Sequence, residues 1–131
     1  MEGEIDLERI DLWFKGTIFF FGTLFSLLVE GFGMVFAILF IVMFADYATG
    51  ILASFAEGGW KAITSARAAK GFIKKLYVLI LIGIVYLIEI NLIGSQHLGN
   101  GICLAYISVE FISITENGAR MKAPVHPRIL D

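Results

Sequence analysis

Apolar residues fill the chain from Leu12 to Ala56 with few interruptions. A single straight helix over that stretch would run about 65 Å at ~1.5 Å per residue. That is twice the ~30 Å hydrocarbon core of a bilayer. The segment therefore folds back once, and Glu30-Gly31-Phe32-Gly33, which sets a charge beside two glycines, marks the place. The pattern predicts a first span over about residues 12–29 and a second over 34–56. A polar stretch, 57–75, opens with the turn signal Glu57-Gly58-Gly59. A third apolar run covers 76–93 with Glu89 inside it. The short loop 94–101 ends Gly99-Asn100-Gly101, and a shorter fourth run over about 102–117 is interrupted by Glu110. Residues 118–131 form a tail that carries both prolines, Pro124 and Pro127. The expected architecture is an all-α integral membrane protein. It is a single membrane domain over 1–131, with about four transmembrane helices in a small bundle that oligomerises.

Composition supports this. The chain is 58% hydrophobic and 17% charged, against about 25% charged residues in soluble domains. Its formal charge of −2 conceals a segregation. The first eleven residues hold five acids and one base. A secretory signal has a basic start and a small-residue cleavage site, so the apolar segments read as retained. Leu7, Ile10 and Phe14 share a helical face, and the N-terminus reads either as a short surface helix or as a plain disordered tail. The stretch 57–75 contains Lys61, Arg67, Lys70, Lys74 and Lys75 against one acid, and the tail adds Arg120, Lys122 and Arg128. The loops on the other side hold no base. Because short loops rich in Lys and Arg stay in the cytoplasm, 57–75 and 118–131 are expected to be cytoplasmic, with both termini inside. The loop bases set topology and meet anionic lipid headgroups; the loop is too short for a nucleic-acid site.

Three acids fall inside predicted spans: Asp46, Glu89 and Glu110. A charge at a span's centre costs ~2.5–3.5 kcal/mol on the translocon scale. Each acid therefore faces protein or water. Two readings stay open. The acids are neutralised or hydrogen-bonded inside a bundle for packing alone, or they line a helix interface that opens to water. Thr49, Gly50 and Ala53 share the Asp46 face, a small and polar stripe that lets helix backbones approach in lipid. This is a candidate packing or oligomer interface, within the chain or with another copy. On the fourth span Tyr106, Glu110, Ser113 and Asn117 recur at helical spacing. Glu116 and Arg120 extend the stripe, four apart in the favourable order for an ion pair. Together with Glu89 they form a candidate polar membrane face. Cys103 lies in an apolar run and reads as a small packing residue. His97 and His126 stand alone, with no metal-ligand spacing. No phosphate loop or nucleophile motif is present, so neither enzyme activity nor a cofactor is expected.

Two passages resemble the four-span holins of bacteria and their phages, which serve phage lysis and toxin secretion. The first is Asp46-Tyr47-Ala48-Thr49-Gly50 late in an apolar helix, followed by Ala69-Lys70-Gly71-Phe72-Ile73-Lys74-Lys75. The second is Gly99-Asn100-Gly101, an apolar run, then Glu110 and Glu116-Asn117-Gly118-Ala119-Arg120, ending near Pro124. The resemblance covers about residues 12–128. It implies a multi-pass protein of the bacterial cytoplasmic membrane that forms homo-oligomers and opens large lesions. A cell-wall endolysin or a toxin then escapes and the host lyses, with no direct contact required. Asp46 and the Glu116-Asn117 pair are the positions it carries over, as structural or assembly residues. A small proton-coupled transporter of the multidrug type, or an accessory subunit of a membrane complex, are the alternatives.

The eight-to-zero split of bases generates a topological expectation. In a Cys103→Ser background, an impermeant thiol reagent applied to intact cells should label Gln96→Cys and spare Thr64→Cys. The opposite pattern would overturn the orientation.

Overall fold

The computed structural model describes residues 2–121. Helix α1 spans Glu2–Phe32, α2 Met34–Gly58, α3 Ser65–Ile88 and α4 His97–Arg120, with no strand among the described residues. All four helices are long and apolar enough to cross a membrane. The chain is a four-span, all-α membrane protein. Lys122, Pro124, His126, Pro127, Arg128 and Asp131 lie outside the described residues.

The first hairpin turns where the glycines predict it. Gly33 alone separates α1 from α2, and its φ of 104° is open to a residue without a Cβ. The acidic N-terminus is neither a tail nor a separate surface element, because α1 runs unbroken from Glu2. Asp11 and Lys15 pair at 2.9 Å along it. No α1 residue from Asp6 onward is buried. The helix lies against the outside of the bundle, touching the core through Leu28 and Phe32.

The stretch 57–75, expected as a loop, is mostly helix. A single 3₁₀ turn, Gly59–Ala62, joins α2 to α3. Helix α3 starts at Ser65, where the Thr64 hydroxyl accepts from the Arg67 amide at 3.3 Å, a side-chain cap for an otherwise unpaired donor. The bases at 67, 70 and 74 recur at helical spacing, and this is why they form one exposed face rather than a loop.

Three helices share one seam. It is built from Phe36, Leu39, Met43, Asp46, Gly50 and Ala53 on α2, Lys75, Leu79, Ile82 and Tyr86 on α3 with Glu89 in the turn that follows it, and Gly99, Cys103, Glu110 and Asn117 on α4. Steps of three, four and seven keep such a seam on one face of each helix. Helices α2 and α4 make the most extensive contact. The apolar core is Phe36, Leu39, Met43, Ile82, Tyr86 and Cys103, all in the half nearest the two hairpin turns. The Tyr86 ring sits edge-on to Phe36 with centroids 5.6 Å apart. Its hydroxyl donates to Asn100 Oδ1 at 2.6 Å and lies 3.4 Å from Cys103 Sγ. Cys103 is fully buried there, the packing role read from its apolar setting.

Gly99 lies beneath the Tyr86 ring, where a Cβ would stand 2.6 Å from Cε1. The ring is fully buried and packed edge-on against Phe32 and Phe36, so any shift disturbs the core. Gly99→Ala should therefore destabilise the bundle by about 1–3 kcal/mol, the usual cost of overpacking. Gly101→Ala, whose Cβ would meet nothing within 4 Å, should be close to neutral. Thermal unfolding in detergent compares the two, and equal losses would remove Gly99 from the packing argument.

Candidate functional site

Below the apolar core the same seam turns polar. Asp46 lies midway along α2, about 18 Å from either helix end at ~1.5 Å per residue. Lys75 projects from α3 into the bundle, and its Nζ donates to Asp46 Oδ2 and Glu110 Oε2, each at 2.8 Å. The side chains of Asp46, Glu110 and Lys75 are 11%, 12% and 22% exposed, so these ions are largely removed from solvent and depend on one another. Asn117 Nδ2 lies 3.0 Å from Asp46 Oδ1, 3.1 Å from the Asp46 carbonyl and 3.0 Å from Thr49 Oγ1. The Thr49 hydroxyl in turn donates to its own helix at Ala45 O, 2.8 Å away. Among the described residues no buried side-chain polar atom lacks a partner.

Toward the basic end the pairing continues between α2 and α4. Arg120 grips Glu57 through Nε at 3.0 Å and Nη2 at 3.2 Å, and Nη2 also reaches Ser54 Oγ at 3.3 Å. The expected Glu116–Arg120 pair does not form. Glu116 is exposed, and Glu57 offers both carboxylate oxygens from the facing helix to the Nε–Nη2 edge of the guanidinium.

A cavity of about 260 Å³ lies beside the cluster, lined by Asp46, Lys75, Ser113 and Asn117 at one end and by Ser54, Thr64 and Arg67 at the other. By volume it has room for several waters at ~30 Å³ each. A second cavity, about 210 Å³ and wholly apolar in its lining surface, separates Phe40, Met43 and Phe44 of α2 from Phe72, Leu76 and Leu79 of α3.

The structure sorts the predicted residues. The Asp46, Thr49, Gly50 and Ala53 stripe packs on α4 of the same chain. Ala53 is fully buried and a Cβ on Gly50 would lie 3.6 Å from Asn117 Nδ2. Glu110, Ser113 and Asn117 do share the seam, whereas Tyr106 and Glu116 point away from it and are exposed. Ile107, on α4 outside that polar stripe, packs against the core.

Glu89 is corrected from a polar membrane face to a helix cap. It lies in a π-helical turn, Glu89–Ile93, and is buried. Its carboxylate accepts from the amides of Leu98 and Gly99, each at 2.8 Å, and from Ser95 Oγ at 3.1 Å. Unpaired amides and the positive dipole end at the start of α4 account for that attraction. Lys75 is corrected from a headgroup contact to the centre of the cluster, while Lys61, Arg67, Lys70 and Lys74 remain exposed. One sequence signal separates Lys75 from its neighbours. It alone among the α3 bases stands at heptad distance from Ile82 and Glu89, on the apolar seam. Tyr86 and Asn100 carry no comparable signal. Among the described residues no three side chains of metal-ligating type converge.

The sequence profile of the bacteriophage holin family matches residues 23–131. An uncharacterized protein of Listeria monocytogenes and one of Listeria innocua are each 33% identical over 110 residues, 84% of this chain and 76% of the relative. No solved structure matches.

Removing one member of a largely buried ion cluster strands the others, at about 3–5 kcal/mol for a fully buried pair and toward the lower end here. Lys75→Met should therefore cost more stability than Glu110→Gln, which leaves one acid facing one base. Adding Glu110→Gln to Lys75→Met should recover part of the loss, read as a non-additive double-mutant cycle in detergent. Simple additivity would show that the cluster is not a unit.

Proposed function

Because the chain belongs to the bacteriophage holin family, we propose that it acts as a holin of the bacterial cytoplasmic membrane. In this reading it assembles into lesions through which an endolysin, or a toxin, leaves the cytoplasm and the host lyses. One observation supports the reading above others: the mid-helix seam is polar, and each polar partner comes from the same chain. Helices with an apolar flank and a polar seam have two ways to satisfy that seam in lipid. They pair it internally, as Asp46, Lys75, Glu110 and Asn117 do here, or they turn it to a water-filled lesion lined by many copies. The first is the stored state and the second the open one.

Size argues for many copies. A helix is about 10 Å across, so four of them surround a narrow channel and not a hole for a folded protein. The lipid-facing surface needs no rearrangement for assembly: Phe44, Leu52, Phe111 and Ile112 are exposed beside the seam. The small stripe of α2 is occupied within the chain, so a homo-oligomer of closed subunits would use other faces. Lys61, Arg67, Lys70 and Lys74 keep the role of fixing α3 at the cytoplasmic surface against anionic headgroups.

The chain should be expressed in bacteria at graded levels beside a soluble endolysin and a cytoplasmic reporter enzyme. Reporter escape should be abrupt and steeply dependent on level. Glu110→Gln should shift the time of lysis, since it alters the balance of packed and open states without removing an obligatory step. A linear ion leak that retains the reporter at every level would instead support the small-transporter reading. Substrate-driven proton movement in liposomes, abolished by a single Asn or Gln substitution, would support it as well.

A further inference from the structure

The three seam helices are not equally attached. Between α2 and α4 the bonding runs the whole length, from the apolar core through Asp46–Asn117 and Thr49–Asn117 to Ser54–Arg120 and Glu57–Arg120. Helix α3 is held in two different ways along its length. At the hairpin end it is clamped: Ile82, Tyr86 and Glu89 are buried, Tyr86 bonds Asn100, and Glu89 caps α4. Toward the basic end its contact with α2 narrows to the Tyr47 ring, which packs edge-on against Phe72 and over Gly71, with the 260 Å³ cavity on one side of Lys75 and the 210 Å³ apolar cavity on the other. Among the described residues, only two polar links join this half to the other helices: the Lys75 ammonium, and the Tyr47 hydroxyl donating to Ala68 O at 3.0 Å. Irregular, glycine-bearing backbone joins both ends of α3. A π-turn and Gly94 at φ 78° follow it, and Gly58 and Gly59, the latter at φ 67°, precede it.

We propose that α3 is a lever: its basic half swings away from a fixed α2–α4 pair about the hairpin end, and Lys75 is the latch that holds it closed. The motion uncovers the faces of Asp46, Glu110, Ser113 and Asn117 on α2 and α4 while the Tyr86–Gly99 packing stays intact. Lys75 leaves with α3 and carries its charge toward the basic surface. The Tyr47–Ala68 bond, a neutral contact at the edge of the cavity, yields with it. The inference deepens the holin reading by naming the moving part, yet its test needs no lysis.

Pairs of spin labels on exposed positions of the full chain in lipid vesicles, with Cys103→Ser in all of them, read the geometry directly. One pair, on Ala66 and Ser108, spans the swinging end. A second, on Leu87 and Gly101, spans the clamp. A third, on Leu52 and Ile112, spans α2 and α4. Lys75→Met should lengthen and broaden the first distance only. A tilt of about 15° moves Ala66 by roughly 9 Å over its lever arm at ~1.5 Å per residue. Asp46→Asn with Glu110→Gln removes the latch from the other side and should give the same displacement. Unchanged second and third distances serve as the internal control for folding. Displacement of the α2–α4 pair, displacement of all three, displacement from only one side of the latch, or no displacement would each overturn the lever. A chain that hinges in this way but never releases the reporter enzyme would keep the lever and lose the holin reading.

Discussion

An ammonium group halfway along a membrane helix is tolerable only where anions meet it, and two anions halfway along their own helices are tolerable only where a cation meets them. Lys75, Asp46 and Glu110 meet this mutual condition with two contacts of 2.8 Å. The requirement fixes more than a local contact. It sets the axial register of α3 against both α2 and α4, because a slip of one residue would turn each charge about 100° around its helix, out of the seam. Two carboxylates around one ammonium leave acceptors in excess, and Asn117 supplies the additional donor. Apolar side chains above the cluster give attraction without register, since lipid solvates a displaced leucine as well as a neighbouring helix does.

The opposite end of the bundle solves a different problem. The chain has to reverse between α3 and α4 close to the membrane surface, leaving the first amides of α4 unpaired. Glu89 meets two of these amides, and in doing so its own charge is compensated without a basic partner. Gly99 lets the Tyr86 ring lie directly on the α4 backbone, and the hydroxyl of that ring finds Asn100 one residue further on. Packing and capping thus hold the hairpin end tightly. Direct ion pairing between residues far apart in the chain, flanked by cavities, holds the basic half of α3. In the lever proposed above, this asymmetry is what would let a single chain store a polar surface in lipid and later present it.

In the proposed holin reading, which rests on membership in the bacteriophage holin family, that asymmetry has a use. A protein that resides in a membrane and later opens it needs two ways of satisfying the same polar groups. A cluster whose members sit on three helices offers this. Each charge is costly alone, and together they are tolerable in the closed bundle and equally so in contact with water.

Hydropathy alone determined the number of spans, their order and the turn at Gly33, because the hydrocarbon thickness limits helix length and a glycine-bearing break is the one place so long an apolar run can reverse. It also marked Asp46, Glu89 and Glu110 as residues that must face something other than lipid, since their cost in hydrocarbon does not depend on the partner. Partners were a matter for the tertiary structure. The base in a polar stretch that turns inward, the carboxylate that caps a helix, and the acid that wins Arg120 are decided by which helix faces which, and contacts between residues far apart in the chain leave no local trace. Lys75 shows the boundary best. Its charge assigned it to the surface with its neighbours, and its place on the seam of α3, between two acids brought in by other helices, assigned it to the interior.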